Sequence, residues 1–493
     1  MTEVSEFTFI ETDLEALASV EGRVAVAIGK EGKLGPVARR LNRLTKGAVQ
    51  RAVQSSRFEK AKVGEIITVS WPVGMTAEAV DIICLERRPT VEDARKAGAA
   101  LAVLGGGRSK ALTLCLTGIN KNAAEIVLGV ALRGYDFRDH KTGPDDEELK
   151  GVTVMAANPE DLKSESSAKL AVAQGVFMAR DMVNEPANIL TTEEFADRIE
   201  GLQALGVEVE ILDEPELQEL GMGALLSVGQ GSDSPSKVAV MQWNGGEDDD
   251  APLALVGKGV VFDTGGISIK PSGGMEEMTM DMGGAAVVTG VMKTLALRRA
   301  QANVVGLVGL VENMPSGNAY RPGDVLKSMK GDTIEVITTD AEGRLVLCDV
   351  MWYAQERFNP IGMVDLATLT GAIIIGLGHD NAGVFSNDDQ LVGRFLQAAE
   401  SENEGAWRMP LGKGYNKMID SRIADMKNAG GRPAGASTAA EFLHRFVKDE
   451  TPWMHIDIAG VASVKTPTTY APKGATGWGV MSLDRMIRDM FEG

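Results

Sequence analysis

The 493 residues are 44% hydrophobic and 24% charged, the balance of a globular protein too long for one ordinary core, so two domains are expected. A formal net charge of −19 repels phosphate backbones and argues against a nucleic-acid partner. Three cysteines without CxxC spacing, Cys84, Cys115 and Cys348, exclude a disulfide framework and a thiolate zinc site.

The start, Met1-Thr2-Glu3-Val4-Ser5-Glu6, is acidic and lacks the basic and apolar stretches of a secretory signal. No window reaches the roughly 20 apolar residues of a membrane span, and a cytoplasmic protein is expected. Residues 7–158 mix strand-like runs (Ile66-Ile67-Thr68-Val69 and Ala111-Leu112-Thr113-Leu114-Cys115-Leu116) with helical stretches such as 91–101, an N-terminal α/β domain (1–158) without a catalytic constellation. Gly105-Gly106-Gly107-Arg108-Ser109-Lys110 lacks the spacing of a phosphate loop and reads as a flexible turn. Between 164 and 183, Val172, Val176, Ala179 and Val183 recur at helical spacing until Pro186, which predicts a connecting helix over 159–186. The acidic run Glu247-Asp248-Asp249-Asp250 reads as a solvated hairpin tip.

Beyond it strands at 253–256, 304–311, 333–337 and 363–367 alternate with helical patterns, one carrying Val288, Val291, Met292 and Leu295 and another over 345–354. That alternation predicts a second α/β domain (187–493) with a mostly parallel sheet covered by helices. In such sheets ligands bind beyond the carboxyl ends of the strands.

The chemistry-bearing residues lie at those positions. Gly257-Lys258-Gly259-Val260-Val261-Phe262-Asp263-Thr264-Gly265-Gly266 follows the first of these strands, then come Lys270 and Met278-Thr279-Met280-Asp281-Met282-Gly283-Gly284. The run at 333–337 leads into Thr338-Thr339-Asp340-Ala341-Glu342-Gly343-Arg344-Leu345. If that segment is extended, its period of two puts Asp340, Glu342 and Arg344 on one face. Three strand ends would then deliver four carboxylates, two lysines and an arginine to one crevice. Four converging carboxylates raise one another's pKa values unless cations intervene, and carboxylates that bridge two divalent ions hold them roughly 3.5–4 Å apart. One lysine could then be a neutral metal ligand while the other stays protonated and polarises a carbonyl. With only His140, His379, His444 and His455 in the chain, any metal site must be built mainly from carboxylates. His379 and His455 are read as structural, Cys348 as a core residue, and Gly283 and Gly284 as permitting close helix packing.

These motifs, together with Asp181-Met182-Val183-Asn184-Glu185-Pro186-Ala187-Asn188, Val228-Gly229-Gln230-Gly231-Ser232, Arg321-Pro322-Gly323-Asp324-Val325 and Asp457-Ile458-Ala459-Gly460, make the chain resemble the leucyl aminopeptidase family of cytosolic two-metal exopeptidases. The resemblance runs through most of 180–480 and is loose before that. It implies release of N-terminal residues, leucine and other apolar ones, from peptides with a free α-amine by attack of a metal-bridging water. It implies two Mn2+ or Zn2+ ions per subunit, with Asp263 and Glu342 bridging both, Lys258 and Asp281 completing the tighter site and Asp340 the more exchangeable one. Lys270 would polarise the scissile carbonyl, and Arg344 would hold a bicarbonate acting as general base. Met278, Thr368 and Leu369 would line the pocket for the first side chain, and the assembly would be a hexamer of two stacked trimers. Two positions depart from the family: Thr338 replaces an asparagine, which predicts a less fully bonded loop, and Ala462 stands where some relatives carry a methionine, which bears on the leucine preference.

Two other function classes are weaker fits. A two-metal phosphotransferase would use Arg344 to clamp phosphate, but two lysines beside the carboxylates suit peptide hydrolysis better. A DNA-binding or scaffolding role is opposed as the main function, though not as a second one, by the net charge and by the complete set of candidate ligands.

Overall fold

A computed structural model describes residues 1–104, 111–142, 151–247 and 250–492. The expected turn at 105–110 and the centre of the acidic run, Asp248 and Asp249, lie outside the described residues. The chain divides into two compact units, one of Met1–Phe177 with Thr466–Pro472 and one of Met178–Lys465 with Lys473–Gly493. The predicted helix runs from Pro159 to Asn184, and the division falls within it. No described helix is long and apolar enough to cross a membrane.

In the first unit the described strands form a six-stranded sheet in the order Phe7–Glu11, Val152–Ala156, Leu112–Cys115, Arg23–Ile28, Ala79–Cys84, Ile66–Ser70. All neighbours are parallel except the last pair. Helix Val91–Leu104 crosses helix Ala123–Arg133 where Gly98 and Gly129 face each other's partner, because a Cβ on Gly98 would lie 2.0 Å from the Ile126 carbonyl oxygen and one on Gly129 2.0 Å from that of Arg95.

The second unit holds an eight-stranded sheet in the order Ala406–Arg408, Ala382–Ser386, Trp453–Asp457, Gly362–Ala367, Leu253–Asp263, Asn303–Asn313, Lys237–Asn244, Glu208–Leu212. The four central strands, Trp453–Asp457 to Asn303–Asn313, are mutually parallel and the flanking pairings are mixed. The expected strands at 253–256, 304–311 and 363–367 are all present. The first is longer than predicted, since Lys258 and Asp263 continue it and do not follow it. Helices Gly283–Arg298 and Gly343–Phe358 flank this sheet, and their walls of Val, Leu and Met form its core. This is the α/β architecture with a largely parallel sheet that the alternation of elements predicted.

One element falls elsewhere. The run at 333–337 contributes only Thr333–Glu335, and it pairs with Val325–Lys327 and Met426–Lys427 in a separate three-stranded sheet. The segment that follows is not extended. Thr339 and Asp340 turn, and Glu342 is the N-cap of helix Gly343–Phe358. Asp340, Glu342 and Arg344 therefore do not share one face of an extended strand, as the period of two had predicted. The reason lies in distant partners: Asn428 holds the Ile337 N–H (2.8 Å) and the Thr338 carbonyl (2.7 Å), while Tyr320 Oη (2.8 Å) and Asn313 Nδ2 (3.0 Å) both donate to the Thr339 carbonyl.

Candidate active site

Strand Leu253–Asp263 supplies Lys258 and Asp263. Five residues apart, they would face opposite sides of a regular strand. Between Val260 and Asp263, however, the strand carries one more residue than its neighbour: Val260 pairs with Val311 and Asp263 with Asn313. This bulge resets the alternation and turns both side chains toward the same crevice. It also brings Asn313 opposite Asp263, where Asn313 Nδ2 and the Gly265 N–H each donate to Asp263 Oδ1 at 2.8 Å. Gly265 and Gly266 have φ of +85° and +65°, a conformation that glycine adopts at little cost, and the chain turns there to carry Lys270 back over Asp263.

Asp281 ends the short helix Met275–Met280 just before helix Gly283–Arg298. That helix lies close on the sheet because Gly284 has no side chain; a Cβ there would be 2.0 Å from the Leu366 carbonyl oxygen. Packing, as expected, is the role of this glycine. Thr368 follows strand Gly362–Ala367 and faces Asp281 and Lys258. Three strand ends do meet here, but they are those at Asp263, Asn313 and Ala367.

The geometry is a cluster of interleaved charges. Lys258, only 2% exposed, donates to Asp281 Oδ1 at 2.7 Å, Glu342 Oε1 at 2.8 Å and the Thr368 carbonyl at 3.0 Å. Lys270 bridges Asp263 Oδ2 at 2.6 Å and Asp340 Oδ1 at 2.5 Å. Thr368 Oγ1 donates to Asp281 Oδ1 at 2.9 Å. Oxygens of Asp263, Asp340 and Glu342 lie within 4.8 Å of one another. Arg344 is also buried, on the first turn of its helix, and its Nη1 donates to the Asn428 carbonyl at 2.8 Å. Met278 is half-buried on the short helix, its carbonyl accepting from the Asp281 N–H. Leu369 is partly buried against the core, its N–H donating to Asp457.

The electrostatics follow from this crowding. Burial opposes the Lys258 ammonium, but Asp281, Glu342 and Asp263 outweigh it and hold its pKa above the usual value. Lys270 is likewise held protonated against burial by Asp263 and Glu342. Burial and then Glu342 push Asp263 up to about 6, and burial lifts Asp340 and, much further, Asp281. Glu342 goes the other way, because Lys258 and Lys270 overcome its burial. Burial lowers Arg344 to about 10.

Four carboxylates against two ammonium groups and the Arg344 guanidinium leave a formal surplus of negative charge in a mostly buried crevice. Asp281 Oδ2 and Glu342 Oε2 are buried and have no hydrogen-bond partner. All-oxygen donors with one amine, a negative surplus and orphaned carboxylate oxygens fit divalent cations. A lysine could join them only by losing its proton, and a cation held that way would displace a proton from the ammonium position.

Sequence reasoning gave no role to Asn313, Tyr320 and Asn428, which bond the segments that carry the charged residues, nor to Asp457 within the motif at 457–460. Asn313 was the most visible of them, as the polar end of the apolar run Val304-Val305-Gly306-Leu307-Val308-Gly309-Leu310-Val311. The Thr338 hydroxyl accepts from the Asp340 N–H at 3.2 Å. Cys348 is fully buried, His455 Nδ1 contacts Asp365 Oδ1 at 2.6 Å, and His379 Nδ1 contacts the Gly460 carbonyl oxygen at 2.7 Å.

The catalytic-domain model of the cytosol aminopeptidase family matches residues 177–483, and the family's N-terminal-domain model matches residues 25–144. The chain belongs to the cytosol aminopeptidase family. A probable cytosol aminopeptidase of Cereibacter sphaeroides is 62% identical over 493 residues, covering all of both chains. One from Rhizobium johnstonii is 51% identical over 90% of this chain and 92% of its own. Among solved structures, a mutant of tomato leucine aminopeptidase superposes with a TM-score of 0.85 at 28% identity, covering 98% of this chain and 96% of that one. The bottromycin maturation enzyme BotP in complex with Mn superposes with a TM-score of 0.81 at 33% identity, covering 95% and 99%. This cytosol aminopeptidase relative is thus a metal-dependent exopeptidase that acts on the N-terminal residues of peptides.

Proposed function

We propose that the crevice between Lys258 and Arg344 is the catalytic centre and that it works with two divalent cations, Mn2+ or Zn2+. The observation that carries this reading is the buried, negatively charged cluster whose Asp281 and Glu342 each leave one carboxylate oxygen without a partner. Asp263 and Glu342 would contact both cations, Lys258 and Asp281 would complete one site, and Asp340, the most exposed of the set, would complete the more exchangeable one. Bound there, the cations supply Lewis acidity for activating water and polarising a carbonyl at neutral pH.

The remaining roles belong to the chain. Lys270 carries a persistent positive charge on a partly exposed side chain at the mouth of the cluster, and it would stabilise charge developing on the scissile carbonyl oxygen. Arg344 would hold a bicarbonate. Its Nε is buried without a partner while Nη1 is engaged with Asn428, and a planar guanidinium suits a carboxylate-like anion. Met278, Thr368 and Leu369 would line the pocket for an apolar first side chain such as leucine. Residues 187–493 would form the catalytic domain, joined by the 159–186 helix to the domain at 1–158. The protein would act in the cytoplasm as a homohexamer.

The decisive test uses matched substrates. A dipeptide with a free α-amine is expected to be cleaved, its C-terminal amide to be tolerated, and its N-acetyl form to be inert. Efficient cleavage of the acetylated peptide would remove the α-amine from the binding scheme.

The Arg344 role has its own test. In carbonate-depleted buffer, added bicarbonate is expected to activate the wild type, while Arg344→Ala is slow and insensitive. Arg344→Lys should not restore full activity, because a point charge does not hold the ion in the same plane. If lysine substitutes well and bicarbonate leaves the wild-type rate unchanged, Arg344 merely neutralises carboxylates.

A further inference from the structure

Asp457 ends strand Trp453–Asp457 and is fully buried, yet it belongs to neither the lysine–carboxylate cluster nor the proposed substrate pocket. Its Oδ1 accepts from the Leu369 N–H at 3.1 Å and the Ala459 N–H at 3.2 Å. Its Oδ2 accepts from the Thr370 hydroxyl at 2.6 Å. That hydroxyl in turn accepts from the Ile373 N–H at 3.1 Å and caps helix Gly371–Leu377. One carboxylate thus ties two separate segments together, the link at 368–370 and the turn that follows Ile458.

Both segments converge on one point. A Cβ on Gly283, two residues after Asp281, would lie 3.3 Å from Thr368 Cγ2, 3.3 Å from Ala462 Cβ and 3.7 Å from Ile458 Cδ1. The 368–370 link also reaches the charged cluster directly, since the Thr368 carbonyl accepts from Lys258 Nζ and the Thr368 hydroxyl donates to Asp281 Oδ1. A continuous chain of hydrogen bonds and one peptide link therefore runs from Asp457 through Leu369 and Thr368 to Lys258 and Asp281. Partners that orient a ligating side chain contribute to cation affinity even though they never touch the cation.

We infer that Asp457 is a positioning residue that, through the 368–370 link, presets Lys258 and Asp281 for cation binding. This rests on the proposed assignment of Lys258 and Asp281 as ligands. Asp457→Asn keeps the size of the side chain but exchanges one acceptor oxygen for a donor. Thr370→Val removes the hydroxyl that Asp457 holds, and Thr370→Ser restores it.

The test is Mn2+ affinity, measured on metal-stripped full-length protein by competition with a chelator, alongside the thermal midpoint of the same metal-free samples. Asp457→Asn and Thr370→Val are expected to bind Mn2+ about tenfold more weakly, with Thr370→Ser close to wild type. If Asp457→Asn does not fold, the Thr370 pair decides. Asp281→Ala is measured in parallel. If it loses affinity while Asp457→Asn and Thr370→Val bind Mn2+ like wild type, whatever their thermal midpoints, Asp457 supports only the fold and the inference is overturned. If Asp281→Ala itself binds Mn2+ like wild type, the ligand assignment beneath the inference has failed, and the inference falls with it.

Discussion

Glu342→Ala is expected to abolish peptide hydrolysis and to leave the protein folded with fewer than two cations per chain. Glu342 sits where the helix Gly343–Phe358 begins, with one oxygen on Lys258 and the other buried without a partner. If it contacts both cations, its removal weakens both sites at once. Losing an outer-shell partner typically costs a metal site about 10–100-fold, so losing a shared ligand should lower activity by more than about 10²-fold. The fold should survive, because the helix is held by Leu345, Val346, Leu347, Val350 and Met351 in the core and Lys258 keeps Asp281 and the Thr368 carbonyl as partners. Metal analysis after gel filtration, with a circular-dichroism melt of the same sample, checks both halves. Two retained cations in a folded variant would rule out the bridging role.

Lys270→Ala is expected to lower kcat by about 10²–10³-fold, the range seen when a donor to a developing oxyanion is removed, with little change in KM or metal content. The structure separates it from Lys258. Lys270 reaches in from a loop and remains partly exposed, so truncating it leaves no buried hole. Lys258 lies in the core of the crevice with its stem against the start of the helix: a Cβ on Gly343 would be 2.6 Å from Lys258 Cε. Lys258→Ala should therefore weaken metal binding and also lower the unfolding midpoint through lost packing. Metal affinities and melting curves of the two variants distinguish these outcomes. If both bind metal as tightly as the wild type, the division of labour between the lysines is wrong.

Much of this is legible in the sequence. Long apolar runs such as Leu253-Ala254-Leu255-Val256 and Val304-Val305-Gly306-Leu307-Val308 announce buried parallel strands, because a strand covered on both faces has no polar alternation to keep. Glycines beside Lys258, Asp263 and Asp281 mark where backbone must pack closely or turn. The motifs at 257–266 and 339–345 marked which charged residues to consider together.

What the sequence by itself determined is the order of strands and helices and the identity of the charged residues at their ends, since hydrophobic periodicity and residue chemistry are local properties. Only the tertiary structure decided how those residues face one another. The bulge between Val260 and Asp263 is defined by pairing with the strand that ends at Asn313, and without that neighbour Lys258 and Asp263 would be read onto opposite faces. The turn at Thr339 and Asp340 is held by Asn313, Tyr320 and Asn428, residues 19 to 90 positions away, so a period-two reading of Asp340, Glu342 and Arg344 had no local signal to contradict it. The place of Asp457 behind the 368–370 segment has the same origin: it follows from the parallel pairing of strands Gly362–Ala367 and Trp453–Asp457, whose partners are 90 residues apart, a contact that no local pattern records.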